Sequence, residues 1–216
     1  MAESYEPMFF NLIYIEEAIS ICNSNIKMIN DETDKIKNNP EYGSQELVSA
    51  ACKGDFQKVQ QLVNEGHSVD SKCSGNTTAL SSACHNNFVD IILFLLGNGA
   101  NPNIQNITGI TPLISSGLYS NPIVIQELLN KGAVISHQDN SKQNALHTAC
   151  VYRKNIDGIK LLISNDTINA IDKWNQTPLD IFYEMQEMEL NPEPRHDQIL
   201  QLLLQHGAKT SKELSA

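Results

Sequence analysis

No stretch of this chain approaches about 18 uninterrupted apolar residues, so the sequence offers no membrane-spanning helix. Its start, Met1 to Pro7, is acidic and lacks the positive stretch that opens a secretory signal. There is no Cys-x-x-Cys and no pair of histidines four apart, which removes the common zinc and dithiol signatures. No glycine-rich phosphate loop occurs. No basic stripe occurs either, and the net charge of −10 argues against a nucleic-acid or anionic-membrane partner. The five cysteines are odd in number and without paired spacing, which fits free thiols in a reducing, cytoplasmic setting. Asn76-Thr77-Thr78 and Asn106-Ile107-Thr108 match the glycosylation pattern but carry little weight without an export signal. Asp139, Asp172 and Asp180 are too dispersed for an acid–base pair, and no cofactor is expected.

What the chain does have is a period. Leu47, Leu80, Leu113, Leu146 and Leu179 stand 33 residues apart, and the residues around them recur in phase. Gly109-Ile110-Thr111-Pro112-Leu113 aligns with Asn144-Ala145-Leu146-His147, and both with Thr78-Ala79-Leu80 and Asn175-Gln176-Thr177-Pro178-Leu179. Gly66, Gly99, Gly132 and Asn165 each follow their leucine by 19 residues. A fixed period of this length marks stacked supersecondary units that bury their apolar faces only against neighbours. Thr-Pro suits a helix start, because proline at the first helical turn loses no hydrogen bond. Small pairs such as Ala50-Ala51, Ala83-Cys84, Ser116-Gly117 and Ala149-Cys150 let neighbouring helices approach. The closing Gly, or Asn165, is expected to take the left-handed conformation that stops the second helix.

These motifs resemble the ankyrin repeat: a turn, Thr-Pro-Leu-His, two small residues, then a Leu-Leu run ending in Gly-Ala. The resemblance covers residues 41 to 209, and His147 alone keeps the family histidine. It implies an all-α solenoid with short turn or hairpin fingers, in units of about 41–72, 73–105, 106–138, 139–171 and 172–209. Repeat one has Gln45-Glu46 in place of Thr-Pro and reads as an edge unit. Repeat five carries about nine extra residues around 187–195, because Gly207 lies 28 residues after Leu179. A longer loop is expected there, broken by its two prolines. The last helix is expected over His196–Gln205, burying Leu200, Leu203 and Leu204, with 210–216 as a frayed tail.

Residues 1–40 are outside the repeat. Leu12, Ile15, Ile19, Cys22, Ile26 and Ile29 share one helical face. That helix reads as an N-terminal cap over the first repeat, or as a docking helix for another chain.

Six histidines are scattered along the chain. His147 and Cys150 share a helix, and a thiol–imidazole pair is one reading. The structural reading is favoured, since the resemblance gives this histidine a backbone bond between repeats. Asn103 matches a position hydroxylated in some ankyrin repeats, with Asn169 a weaker match; either also serves simply to hold its turn.

The resemblance also places the binding surface, on the fingers and the solvent face of the first helices. By phase, the finger residues are Ser74, Gly75 and Thr77; Ile107, Thr108 and Ile110; Asn140, Ser141 and Gln143; Lys173, Trp174 and Gln176. The helix-face residues are Cys52 and Lys53; His85 and Asn86; Leu118 and Tyr119; Val151 and Tyr152; Glu184 and Met185. Within this set Leu118, Tyr119, Val151, Tyr152 and Met185 predict an apolar, tyrosine-bearing strip in the concave groove, flanked by Ile107, Ile110 and Trp174. Lys53, His85, Asn86 and Lys173 complete the expected contact set. The function expected is a non-enzymatic scaffold or adaptor for a protein partner. The alternative is a regulator or inhibitor of a partner enzyme, acting in the host cytosol if the chain is a microbial effector.

Overall fold

The structure is a computed structural model that describes residues 45–188 and 194–216, within one unit spanning Ser44–Ala216. The expected cap over 1–40, residues 41–44 at the start of repeat one and residues 189–193 of the insertion lie outside the described residues. Five helix pairs follow one another: α1 (Gln45–Lys53) and α2 (Phe56–Asn64), α3 (Ala79–Asn86) and α4 (Val89–Gly97), α5 (Pro112–Ser116) and α6 (Pro122–Asn130), α7 (Ala145–Tyr152) and α8 (Ile156–Leu162), α9 (Pro178–Glu187) and α10 (Pro194–Gln205). A one-turn helix, α11 (Ser211–Leu214), closes the chain. First helices pack on first helices of the neighbouring pairs and second helices on second helices, giving two helical layers. No strand occurs among the described residues, only an isolated bridge between Lys72 and Thr78.

The 33-residue frame is set by side-chain caps. Thr78, Thr111, Asn144 and Thr177 each accept a hydrogen bond from a backbone N–H in the first turn of the helix they start. Such capping satisfies donors that a helix leaves open at its N-terminus. The five frame leucines are all at most 1% exposed and line the core between layers. Turns recur with the same period: Asn76, Gly109, Lys142 and Asn175 have positive φ, and so do Gly54, Asn87, Ser120 and Arg153.

Repeat four closes differently from the sequence expectation. Gly66, Gly99, Gly132 and Gly207 are left-handed, but Asn165 is not. Instead α8 ends at Leu162, and Ile163 is extended (φ −80°, ψ 124°). The buried Thr167 hydroxyl donates to the Leu162 carbonyl at 2.7 Å and accepts from the Ser164 N–H at 2.8 Å. A side chain therefore satisfies the helix end, and no left-handed residue is needed.

Repeat five corrects three further expectations. Pro194 starts α10 rather than breaking it, as suits proline in a first helical turn. Within α10 the buried face is His196, Ile199 and Leu203, spaced three and four apart. Leu204 is next to Leu203 and so falls off that face; it is 48% exposed, while Leu200 is half-buried. The tail does not fray. Thr210 and Glu213 form a capping box on α11, and the Ser211 N–H donates to Asp180 Oδ2 at 2.8 Å.

Candidate partner-binding surface

Each finger is a tight loop held by its own backbone. The N–H groups of Cys73, Asn106, Asp139 and Asp172 donate to the carbonyls of Thr77, Ile110, Gln143 and Gln176. The side chain at the base of three fingers reinforces the loop. Asn106 Oδ1 accepts from the N–H groups of Thr108 and Ile110 at 3.0 and 2.9 Å. Asp139 Oδ1 accepts from Ser141 and Gln143, and Asp172 Oδ1 from Trp174 and Gln176, all at 2.8–2.9 Å. Burial pushes the Asp139 carboxyl up despite those donors, which act in the opposite direction.

Successive fingers are then tied into a row. The N–H of Ile107 donates to the Gly75 carbonyl at 2.9 Å, that of Asn140 to Thr108 at 3.0 Å, and that of Lys173 to Ser141 at 2.9 Å. Nothing in the side chains announces this ladder. A second set of staples joins the finger bases to the closing turns. Asn103 Nδ2 donates to the Gly132 carbonyl at 2.8 Å, while its Oδ1 accepts from the Val134 N–H at 2.9 Å. Asn169 repeats this with the Gly207 carbonyl and the Lys209 N–H. Both asparagines thus hold turns of consecutive repeats together.

On the helix side, Lys53 ends α1 and is exposed, while His85 and Asn86 end α3 and are half-buried. Burial lowers the His85 pKa, and Asn86 Nδ2 donates to the Ser82 carbonyl of its own helix at 2.9 Å. Leu118 and Tyr119 do not lie on a helix. α5 stops at Ser116, and the chain continues through bonds from Gly117, Leu118 and Tyr119 to carbonyls three residues back. Tyr119 is 42% exposed and Leu118 half-buried on that turn. Val151 and Tyr152 end α7, Met185 lies on α9, and all three are half-buried, with Val151 and Met185 resting on the core. Burial pushes the Tyr152 phenol up, and the Tyr119 phenol of the preceding repeat pushes it weakly the same way. Of the flanking residues, Ile110 is half-buried, whereas Ile107 at 61% and Trp174 at 43% are exposed on fingers two apart. Lys53 lies two repeats away from Tyr119.

The His147 and Cys150 pair has a structural setting. His147 Nδ1 accepts from the Asn144 N–H at 3.2 Å, and Nε2 faces the Gln176 carbonyl of the next repeat at 3.4 Å. Burial lowers the imidazole to about 4 and raises the Cys150 thiol to about 12, so neither is poised for nucleophilic chemistry near neutral pH. Among the described residues no group of three or more His, Cys, Asp or Glu converges as a metal site. No described helix is long and apolar enough to cross a membrane.

The sequence reading missed one surface, the solvent side of the second helices. There Leu93, Pro122, Ile123 and Leu161 line a shallow depression with Gln126 and Glu127, and Ile123 is 60% exposed. The signal was present in Ile123, an isoleucine where repeat two has Asp90.

A family model for ankyrin repeats, three copies long, matches residues 15–106 and 90–177. The chain is 32% identical over 139 residues to ankyrin repeat protein FPV222 of fowlpox virus, covering 62% of this chain and 18% of that one. It is 28% identical over 128 residues to SH3 and multiple ankyrin repeat domains protein 2 of Homo sapiens, covering 58% and 7%. It is 37% identical over 75 residues to 2-5A-dependent ribonuclease of Mus musculus, covering 33% and 10%. The matched segments therefore span less than a fifth of each of these relatives.

Proposed function

The chain belongs to the ankyrin repeat family, whose repeats are generally protein–protein interaction modules, and from that premise we propose that it is a scaffold gripping a segment of a partner protein. The grip lies in the trough between the finger row and the first helices. The observation that supports this is the strip on repeats three to five: Tyr119 is exposed, and Leu118, Val151, Tyr152 and Met185 are half-buried, at corresponding places in adjacent repeats. Tyrosines in such a position supply large contact area at little cost in conformational freedom. The tied finger row and the stapled turns keep the trough preformed, so little ordering is required on association.

The test is the double variant Tyr119→Ala with Tyr152→Ala, measured for melting temperature and for affinity to a partner purified with the wild-type chain. Melting is expected to stay within a few degrees while affinity falls by about 30-fold or more, the size of a hot-spot loss. A large drop in melting temperature with binding intact would assign the rings to the core instead. The fowlpox relative favours a second, narrower reading, in which the partner is a host protein whose activity the scaffold modulates. Assaying a captured partner's activity with and without the chain separates a modulator from a passive adaptor.

A further inference from the structure

Fingers four and five carry two exposed lysines, Lys142 and Lys173, and among the described residues neither makes an ion pair. They are neighbours in space: Lys142 follows Ser141, whose carbonyl accepts the Lys173 N–H at 2.9 Å. The carboxylates of the same two fingers are turned inward. Asp139 Oδ1 accepts from the Ser141 and Gln143 N–H groups. Asp172 is 4% exposed; its Oδ1 holds its own finger, and its Oδ2 accepts from Gln143 Nε2 at 2.9 Å. Glu184, the carboxylate on the helix face of repeat five, accepts from Gln176 Nε2 at 2.8 Å. The outward charge of this edge is therefore positive, on a chain whose net charge is −10. Beside the two cations stand Trp174, 43% exposed, and Ile171, 39% exposed.

We infer that the segment held by the trough is acidic, with one or two carboxylates meeting Lys142 and Lys173 and an apolar side chain on Trp174. This rests on the trough reading above and adds the chemistry of the occupant. A polypeptide is favoured over nucleic acid by arithmetic. A nucleic-acid duplex presents one negative charge per roughly 1.7 Å and needs a continuous basic track. Two lysines on an acidic chain match one or two carboxylates and do not make such a track.

The experiment pans a library of short random peptides against the full chain. Fluorescein-labelled winners are then titrated by anisotropy at low and high salt, beside a labelled oligothymidylate. Winners rich in Asp or Glu next to an aromatic residue or leucine are expected, with binding that weakens as salt rises. Lys142→Glu with Lys173→Glu is expected to weaken them about tenfold with melting unchanged, consistent with exposed pairs of modest individual strength. The same variant should bind better to versions of those peptides whose acids are replaced by lysine. Winners without acidic enrichment, or acidic winners indifferent to the double reversal, overturn the inference. So does an oligothymidylate that binds more tightly than any peptide. Neutral winners that are lost in the tyrosine double variant leave the trough reading standing and sink only the acidic occupant. Acidic winners that ignore the tyrosine variant sink the trough reading. A library without winners counts against both.

Discussion

Repeats three and four share one frame yet solve its local problems by different means. Repeat three starts α5 with Thr111, which reaches only the Ile114 N–H, at 3.4 Å, and the helix runs five residues. Repeat four starts α7 with Asn144, which caps two N–H groups and joins His147 in a capping box, and the helix runs eight. Repeat three closes on left-handed Gly132; repeat four closes on the Thr167 hydroxyl. Where the two repeats meet, both lack a side chain. A Cβ at Gly117 would lie 2.7 Å from the Ala145 carbonyl oxygen, and one at Gly158 would overlap the Ser120 carbonyl. Two glycines thus let one junction close tightly in both layers. That junction lies beside Leu118, Tyr119, Val151 and Tyr152 in the chain, so close backbone approach sets the spacing of the two repeats that carry them.

The widest break in the comparison should come from Gly158→Ala. The methyl group meets backbone, which cannot swing away, and we expect a loss of about 3 kcal/mol or more in urea unfolding. A loss under about 1 kcal/mol would show that the junction has slack.

Acid titration comes next. The folded His147 pKa, about 4, lies below the ordinary 6.5, so the unfolded chain takes up a proton first as pH falls. Its contribution is full above pH 6.5, declines between 6.5 and about 4, and is lost below, by up to about 3 kcal/mol. His147→Gln should flatten that part of the stability–pH curve, whereas a change in repeat three, which has Ile114 at the matching helix position, should not.

Thr167→Val keeps the shape but removes the hydroxyl that ends α8, and is expected to cost about 1–3 kcal/mol. The smallest effects should separate the two closing turns. Gly132→Ala has open space around it, but φ is +86°, so strain of about 1 kcal/mol is expected. Asn165→Gly should bring no gain, because that residue is not left-handed. Stabilisation by Asn165→Gly would restore the closure read from the sequence.

The contrast also explains what the sequence could reveal. The frame leucines, the capping threonines and the closing glycines are single residues whose type is dictated by one local requirement, and all were legible. Thr167 escaped notice because a hydroxyl and a left-handed turn end a helix equally well, and only the backbone tells which is used. Leu204 was misplaced because one residue of helical phase turns a side chain by about 100°. Leu118 and Tyr119 were assigned to a helix that stops at Ser116, two and three residues short of them, and α5 lacks the capping box that α7 has. The finger ladder runs from N–H to carbonyl across 32 residues, between side chains as unlike as Gly75, Thr108 and Ser141, and so leaves no mark in residue type. The membership of the candidate strip was read by phase; its half-sunken depth came only from the fold.

That depth has a thermodynamic consequence. Val151 and Met185 rest on the core with one flank and face outward with the other, so the atoms a partner would cover also help cement adjacent repeats. Occupancy and cohesion are then linked by mass action: a partner bound there tightens repeats three to five and slows exchange of their amides, and anything that loosens those repeats weakens the hold on the partner by the same free energy.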